Sequence, residues 1–170
     1  MAPPTDAVSV EYNKRNYIFY VDDRRFIKYL EGPDGGKEGP GVKYELESLK
    51  VNGKALKTSE KVTQIAALSY SFDNKNEARI YYAEEVDGFT QLREVCITNG
   101  DFSKAYRGAL DDAVTSTDAL APQTSISAVN LKQSSLLKVF AAKASGNGDL
   151  SVFYFPPGGQ ETWNSRQVIV

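Results

Sequence analysis

Two charged side chains, Arg79 and Glu94, interrupt runs of apolar and aromatic residues in the segment ARIYYAEEVDGFTQLREVC. Each run has the composition of a strand, and the VDG turn between them predicts an antiparallel hairpin. Because paired side chains on such strands lie within about 5 Å at Cβ, the guanidinium and the carboxylate could share one edge. The first donates hydrogen bonds and the second accepts them, so the pair could clamp neighbouring sugar hydroxyls. A structural salt bridge, which contributes little when exposed, is the simpler alternative.

The elements that must position this pair are short strands. Helical periodicity is almost absent, and runs rich in Tyr, Phe, Val and Ile recur between turn clusters such as DNKN, TNGD and GNGD. The sequence therefore predicts an all-β chain. The strands fall into three groups of four that repeat at roughly sixty residues. Their expected ranges are 8–13, 16–23, 25–32 and 42–51; 65–72, 77–84, 90–98 and 102–110; and 125–132, 137–144, 149–156 and 163–170.

Three repeated four-stranded antiparallel sheets indicate half of a β-propeller. We expect one domain over residues 1–170, with blades at about 8–56, 62–110 and 125–170. Three blades cannot close a ring, since propellers typically have four to eight blades and open ends would expose apolar faces. A homodimer that forms a six-bladed ring is the simplest closure, because it uses the same two end surfaces twice. An open monomeric stack or a sandwich is the alternative.

Composition narrows the function classes. A net charge of -2 without a basic stripe predicts no nucleic-acid partner, and no apolar run reaches the length of a membrane helix. The chain has no histidine, which removes the imidazole-dependent triads, and its single cysteine, Cys96, excludes a multi-cysteine zinc site. We therefore expect no metal and no cofactor, and the catalytic residues of any enzyme stay unknown. The start, MAPPTDAVSV, lacks the features of a secretory signal, so we expect a chain that is either cytoplasmic, which is the simpler interpretation, or already trimmed.

One family resemblance is carried by the second group of strands. The succession IAALSY, ARIYY and LREVC, followed by a short aromatic strand, resembles a blade of the fungal fucose-specific lectins of the Aleuria aurantia type. Those lectins are six-bladed β-propellers whose blades read IAA-S-W, R-V-Y-Y and I-R-E. The resemblance covers most of the chain as weak repeats, at about half the length of such a lectin. It implies sugar binding between neighbouring blades.

The resemblance also implies the site residues. Arg79 and Glu94 match the polar pair of one blade, and Phe155 and Trp163 fall near the aromatic positions of the next blade. Trp163 could equally be a core residue between blades. The corresponding pairs in the other two blades are Tyr17 with Tyr29, and Lys138 with Val152. Neither pair can form the same bidentate clamp, so at most one family-like site is expected in each chain.

Three functions stay open from the sequence. The favoured one is a carbohydrate-binding lectin for fucose or a related deoxysugar, with a sugar or glycan as partner and no catalytic step. The second is an enzyme, such as a cyclase of natural-product biosynthesis, that uses the same pocket for a small hydrophobic substrate; its tyrosines and carboxylates could supply hydrogen bonds or move protons. The third is a protein-interaction scaffold. Fold alone does not decide among them.

Overall fold

The computed structural model describes residues 3–37, 39–131, 136–156 and 162–168. Their strands form three four-stranded antiparallel sheets and a two-stranded ribbon, which confirms the predicted all-β fold class. The first sheet contains β1 (Asp6–Tyr12), β2 (Arg15–Val21), β3 (Ile27–Glu31) and β4 (Glu45–Ser48), and the ribbon contains β5 (Lys50–Val51) and β6 (Lys54–Ala55). The second contains β7 (Ile65–Phe72), β8 (Lys75–Val86), β9 (Phe89–Thr98) and β10 (Tyr106–Arg107). The third contains β11 (Ser127–Leu131), β12 (Leu136–Ala142), β13 (Leu150–Tyr154) and β14 (Asn164–Gln167).

Tight hairpins fix how these strands pair. The turn between β7 and β8 places Asp73 and Asn74 at φ angles of 48° and 57°, and the turn between β8 and β9 places Asp87 at 51° and Gly88 at 83°. Asp, Asn and Gly adopt this left-handed region most readily, and two such residues in succession match the twist of the flanking strands. The first turn therefore sets the register of β7 with β8, and the second sets the register of the long β8–β9 hairpin that carries the candidate site.

The register repeats from sheet to sheet. In each sheet the second and third strands place one pair of residues directly opposite each other at the same point of the hairpin. These pairs are Phe19 with Tyr29, Tyr81 with Glu94, and Phe140 with Val152. The three sheets can therefore be compared position by position.

Two hydrophobic cores lie between the sheets. One packs Tyr17, Phe19 and Tyr29 of the first sheet against Ile80 and Val95 of the second. The other packs the opposite face of the second sheet, including Tyr81, Ala83 and Leu92, against Val139 and Phe153 of the third. The first strands β1, β7 and β11 contact one another in sequence, so the three sheets stack around their inner strands.

The fourth strand of the second group differs from the prediction. A strand was expected over 102–110, whereas only Tyr106 and Arg107 pair with β9. Residues Phe102–Lys104 form a 3-10 turn in which the Asp101 carboxylate accepts a hydrogen bond from the Ser103 amide, and Leu110–Ala113 form the short helix α1. This cap, together with the burial of the Phe102 ring against the first sheet, outweighs strand propensity here. The predicted strand residues 132 and 169–170 lie outside the described residues.

No helix in the described part of the chain is long and apolar enough to cross a membrane. No group of three or more His, Cys, Asp or Glu side chains within those residues could hold a metal ion.

Candidate functional site

Arg79 and Glu94 lie on the face of the second sheet that turns toward the third sheet. Arg79 is opposite Cys96 and Glu94 is opposite Tyr81, so the two charged residues are diagonal neighbours on adjacent strands. The Arg79 Nε lies 3.7 Å from the Glu94 Oε1, and the side chains are only 12% and 3% exposed. The pair is thus a buried contact, where removal of one partner leaves a costly unpaired charge.

The Glu94 carboxylate is enclosed by its own sheet and by the segment that follows β10. The Tyr81 hydroxyl donates a hydrogen bond to its Oε1 at 3.1 Å, and the Leu110 amide approaches its Oε2 at 3.4 Å. Gly108 lies directly against it, because a Cβ atom at that position would come within 2.0 Å of the Oε2. Burial raises the pKa of Glu94, and the nearby Arg79 partly opposes that rise. Glu94 is therefore hidden from solvent, and its carboxylate supports Arg79 through their ion pair.

Sequence reasoning missed Glu77 as a member of this group. The Arg79 Nη1 donates a hydrogen bond to the Glu77 Oε2 at 2.7 Å, and the Thr98 hydroxyl donates one to the same oxygen at 3.0 Å. Glu77 is itself buried, and the ring of Tyr70 lies 5.6 Å from the guanidinium carbon. The signal was present in the sequence, since residues 77, 79 and 81 alternate along one strand and so share a face. Arg79 is fixed by two carboxylates and one aromatic ring.

The aromatic pair from the third sheet is also brought together. Trp163 and Phe155 meet edge to face at 6.0 Å between ring centroids, and Trp163 meets Tyr81 in the same way at 6.1 Å. Tyr81 consequently joins the two halves of the predicted site, with its hydroxyl on Glu94 and its ring against Trp163. Trp163 is buried in the core between the sheets, and a cavity of about 20 Å³ beside it has room for one water molecule. Phe155 is half-buried.

The equivalent positions in the other sheets have different surroundings. Phe102 stacks on Tyr29 at 4.5 Å and on Tyr17 at 5.0 Å, so aromatic rings fill the position that corresponds to Arg79 and Glu94. Lys138 and Val152 lie on the face of the third sheet that turns away from the second. Among the described residues, the arginine and carboxylate arrangement thus occurs at one of the three equivalent positions.

Comparison with known proteins gives matches among solved structures alone. No protein-family model matches the chain, and no curated protein matches it. The crystal structure of AofleA from Arthrobotrys oligospora matches with a TM-score of 0.67 and 19% identity over 97% of this chain. A mutant of AofleA with three arginines changed to alanine matches with a TM-score of 0.63 and 17% identity, also over 97% of this chain. The chain spans 41% of the length of either structure. At this identity the likeness is one of fold, and it confirms the fold that the fungal resemblance implied: the chain is built like part of AofleA.

Proposed function

We propose that the chain is a carbohydrate-binding protein that holds fucose or a related deoxysugar against Arg79, between the second and third sheets. The observation that carries this proposal is the Arg79 guanidinium, fixed by Glu77 and Glu94 on the face that meets Trp163. The fold likeness to AofleA, together with the resemblance of the second group of strands to a blade of the fungal fucose-specific lectins, supports this class of ligand.

Arg79 has donors left for a ligand. Its Nη1 is used by Glu77 and by the Ala78 carbonyl oxygen, whereas its Nη2 makes no hydrogen bond to any described residue. A guanidinium presents its N–H groups in a fixed plane, which suits two adjacent hydroxyl oxygens of a sugar. The half-buried rings of Tyr70 and Phe155 provide apolar surface for the C–H face or the methyl group of a deoxysugar. Glu94 has the supporting role of orienting Arg79.

Titration calorimetry with L-fucose tests this proposal. We expect binding with one site per chain, because Phe102 fills the equivalent position of the first sheet. Replacement of Arg79 by alanine should weaken affinity by at least about tenfold, as expected for the loss of a charged hydrogen-bond donor. Arg24→Ala, at an exposed loop position of the first sheet, is the matched control and should bind as the wild type does. Absence of binding at millimolar fucosides, or equal affinity of Arg79→Ala, would reject the site.

We also propose that a second copy of the chain covers the two outer sheet faces. Ile80 with Val95, and Val139 with Phe153, are opposed pairs that are buried against the preceding sheet. The equivalent pair in the first sheet is Ile18 with Leu30, which the described residues leave partly exposed. At the other end, three side chains of the third sheet are 40–49% exposed: Val129, Leu131 and Leu150. Equivalent faces already form the two cores inside the chain. The two outer faces are therefore suited to form a third such core between two chains.

Light scattering tests this association. A closed pair should have twice the chain mass of 18.7 kDa. Leu30→Glu should give the single-chain mass, because it places a charge in the proposed interface. The control is Phe72→Glu, which changes a side chain that is already 55% exposed at a hairpin end and should keep the doubled mass. A wild-type protein that stays at the single-chain mass at all concentrations would contradict the proposal.

A further inference from the structure

The charges around Arg79 do not balance. Two buried carboxylates, Glu77 and Glu94, contact this one guanidinium, at 2.7 Å and 3.7 Å. Among the described residues neither carboxylate has a second cationic partner. One negative charge at this place is therefore not offset by a positive one, and an uncompensated charge inside a protein is costly.

Other arginines of the second sheet do not supply the missing charge. Arg107 contacts the Glu84 carboxylate at 3.0 Å and Arg93 contacts Asp111 at 3.7 Å. Tyr82, which hydrogen-bonds to Arg107, packs into the core on the first-sheet side. These ion pairs serve the opposite face of the sheet. Burial raises the pKa of Glu94, which shows that its negative charge is costly at this place.

The Glu77 carboxylate has unused capacity as an acceptor. Its Oε2 accepts from Arg79 and from the Thr98 hydroxyl, and its Oε1 faces the same hydroxyl at 3.2 Å. A carboxylate offers about four lone-pair positions, so at least one stays open for a ligand donor. An ammonium group would supply both the donor and the missing charge.

We propose that, among sugars bound against Arg79, Glu77 favours those that carry a free amine over their N-acetylated or carboxylated counterparts. This inference rests on the proposed carbohydrate site and names its ligand class more closely. An N-acetyl group has no charge to offset Glu77, and a uronic acid brings a third carboxylate to the cluster. Electrostatic complementarity at the largely buried Glu77 carboxylate then discriminates among sugars of similar shape.

The test compares matched sugars by titration calorimetry near neutral pH. We expect galactosamine or glucosamine to bind at least about tenfold more tightly than the N-acetylated form, which corresponds to about 1.4 kcal/mol. The corresponding uronic acid should bind more weakly than either. In Glu77→Gln the ratio between amino and N-acetyl sugars should fall to near one. Glu47→Gln, which removes an exposed carboxylate from the first sheet, is the control and should keep the wild-type ratio.

The outcomes separate this inference from the proposed function. If fucose binds through Arg79 but amino sugars bind no better than N-acetylated ones, the carbohydrate site stands and the amine inference is wrong. An unchanged ratio in a folded Glu77→Gln variant, checked by circular dichroism, also overturns the role of Glu77. If no sugar of any kind binds, both proposals are rejected.

Discussion

Gly108 is the position where one added methyl group would collide with the buried Glu94 carboxylate and so test how tightly it is packed. An alanine Cβ at Gly108 would lie 2.0 Å from the Glu94 Oε2, 2.4 Å from its Cδ and 2.6 Å from its Cγ. No φ in the left-handed region is recorded for Gly108, so the backbone itself accepts alanine. The cost of Gly108→Ala is therefore the displacement of Glu94, whose side chain is only 3% exposed.

The magnitude follows from what Glu94 loses. Overpacking a close-packed site costs about 1–3 kcal/mol. Loss of the Tyr81 hydrogen bond to a charged acceptor adds about 1.5–3 kcal/mol. We expect Gly108→Ala to lower the free energy of unfolding by about 3 kcal/mol, and to weaken sugar binding because Arg79 loses its support. In Glu94→Ala the clashing atoms are absent, so the added cost of Gly108→Ala in that background should be small.

The assay is a double-mutant cycle by urea unfolding. Fluorescence of Trp163, the single tryptophan, and circular dichroism both follow the transition. With a slope of about 2 kcal/mol per molar urea, the midpoint of Gly108→Ala should fall by about 1.5 M. Gly146→Ala is the control, since a Cβ there meets no atom within 4 Å and its cost should stay below about 0.5 kcal/mol. An unchanged midpoint for Gly108→Ala, or additive effects in the double mutant, would refute the reasoning.

Three further predictions concern the packing and titration of the sheets. Phe102→Ala should lower the free energy of unfolding by about 2 kcal/mol, measured in urea, because it removes the ring stacked on Tyr29. Phe72→Ala, at an exposed ring, should lower it little, and equal effects of the two variants would contradict the role of the stack. Burial raises the pKa of Tyr29 and Tyr70 to about 12, against about 10 in the unfolded chain. The folded state thus keeps protons that the unfolded chain releases, so urea midpoints should fall between about pH 10 and 12; rising midpoints there would contradict it. Burial also raises the pKa of Cys96 to about 12. A thiol reagent should therefore modify Cys96 at least about a hundredfold faster in urea than in the native protein, whereas comparable rates would show that the thiol is accessible in the folded state.

Much of the fold could be predicted from the sequence because the strands are short, alternate with clear turn signals and repeat. Arg79 and Glu94 stood out because charges are rare in runs that otherwise have core composition. Their burial was not predictable in the same way. It depends on the diagonal register of β8 and β9 and on the approach of Gly108 from the following segment. These are contacts between strands, which a linear pattern does not contain.

The two features that the sequence did not predict, the burial of Glu77 and the position of Phe102, share a physical cause. Glu77 follows the turn residues DNKN, so its carboxylate resembles ordinary solvated turn chemistry, and only the fold encloses it against Thr98. Phe102 has the composition of a strand residue, but its ring gains more by stacking on Tyr29 than by extending β10. In both cases packing between elements decides the position of the side chain, and local propensity does not.

The two separate cores give the second sheet a special place in the order of unfolding. The first core joins it to the first sheet and the second core joins it to the third. Each outer sheet can therefore open while the other interface stays intact, as in repeat proteins whose units contact only their neighbours. The amides of β8 and β9 should then exchange with solvent most slowly, since both interfaces must separate before that hairpin is released. The packing at one interface can accordingly change independently of the packing at the other.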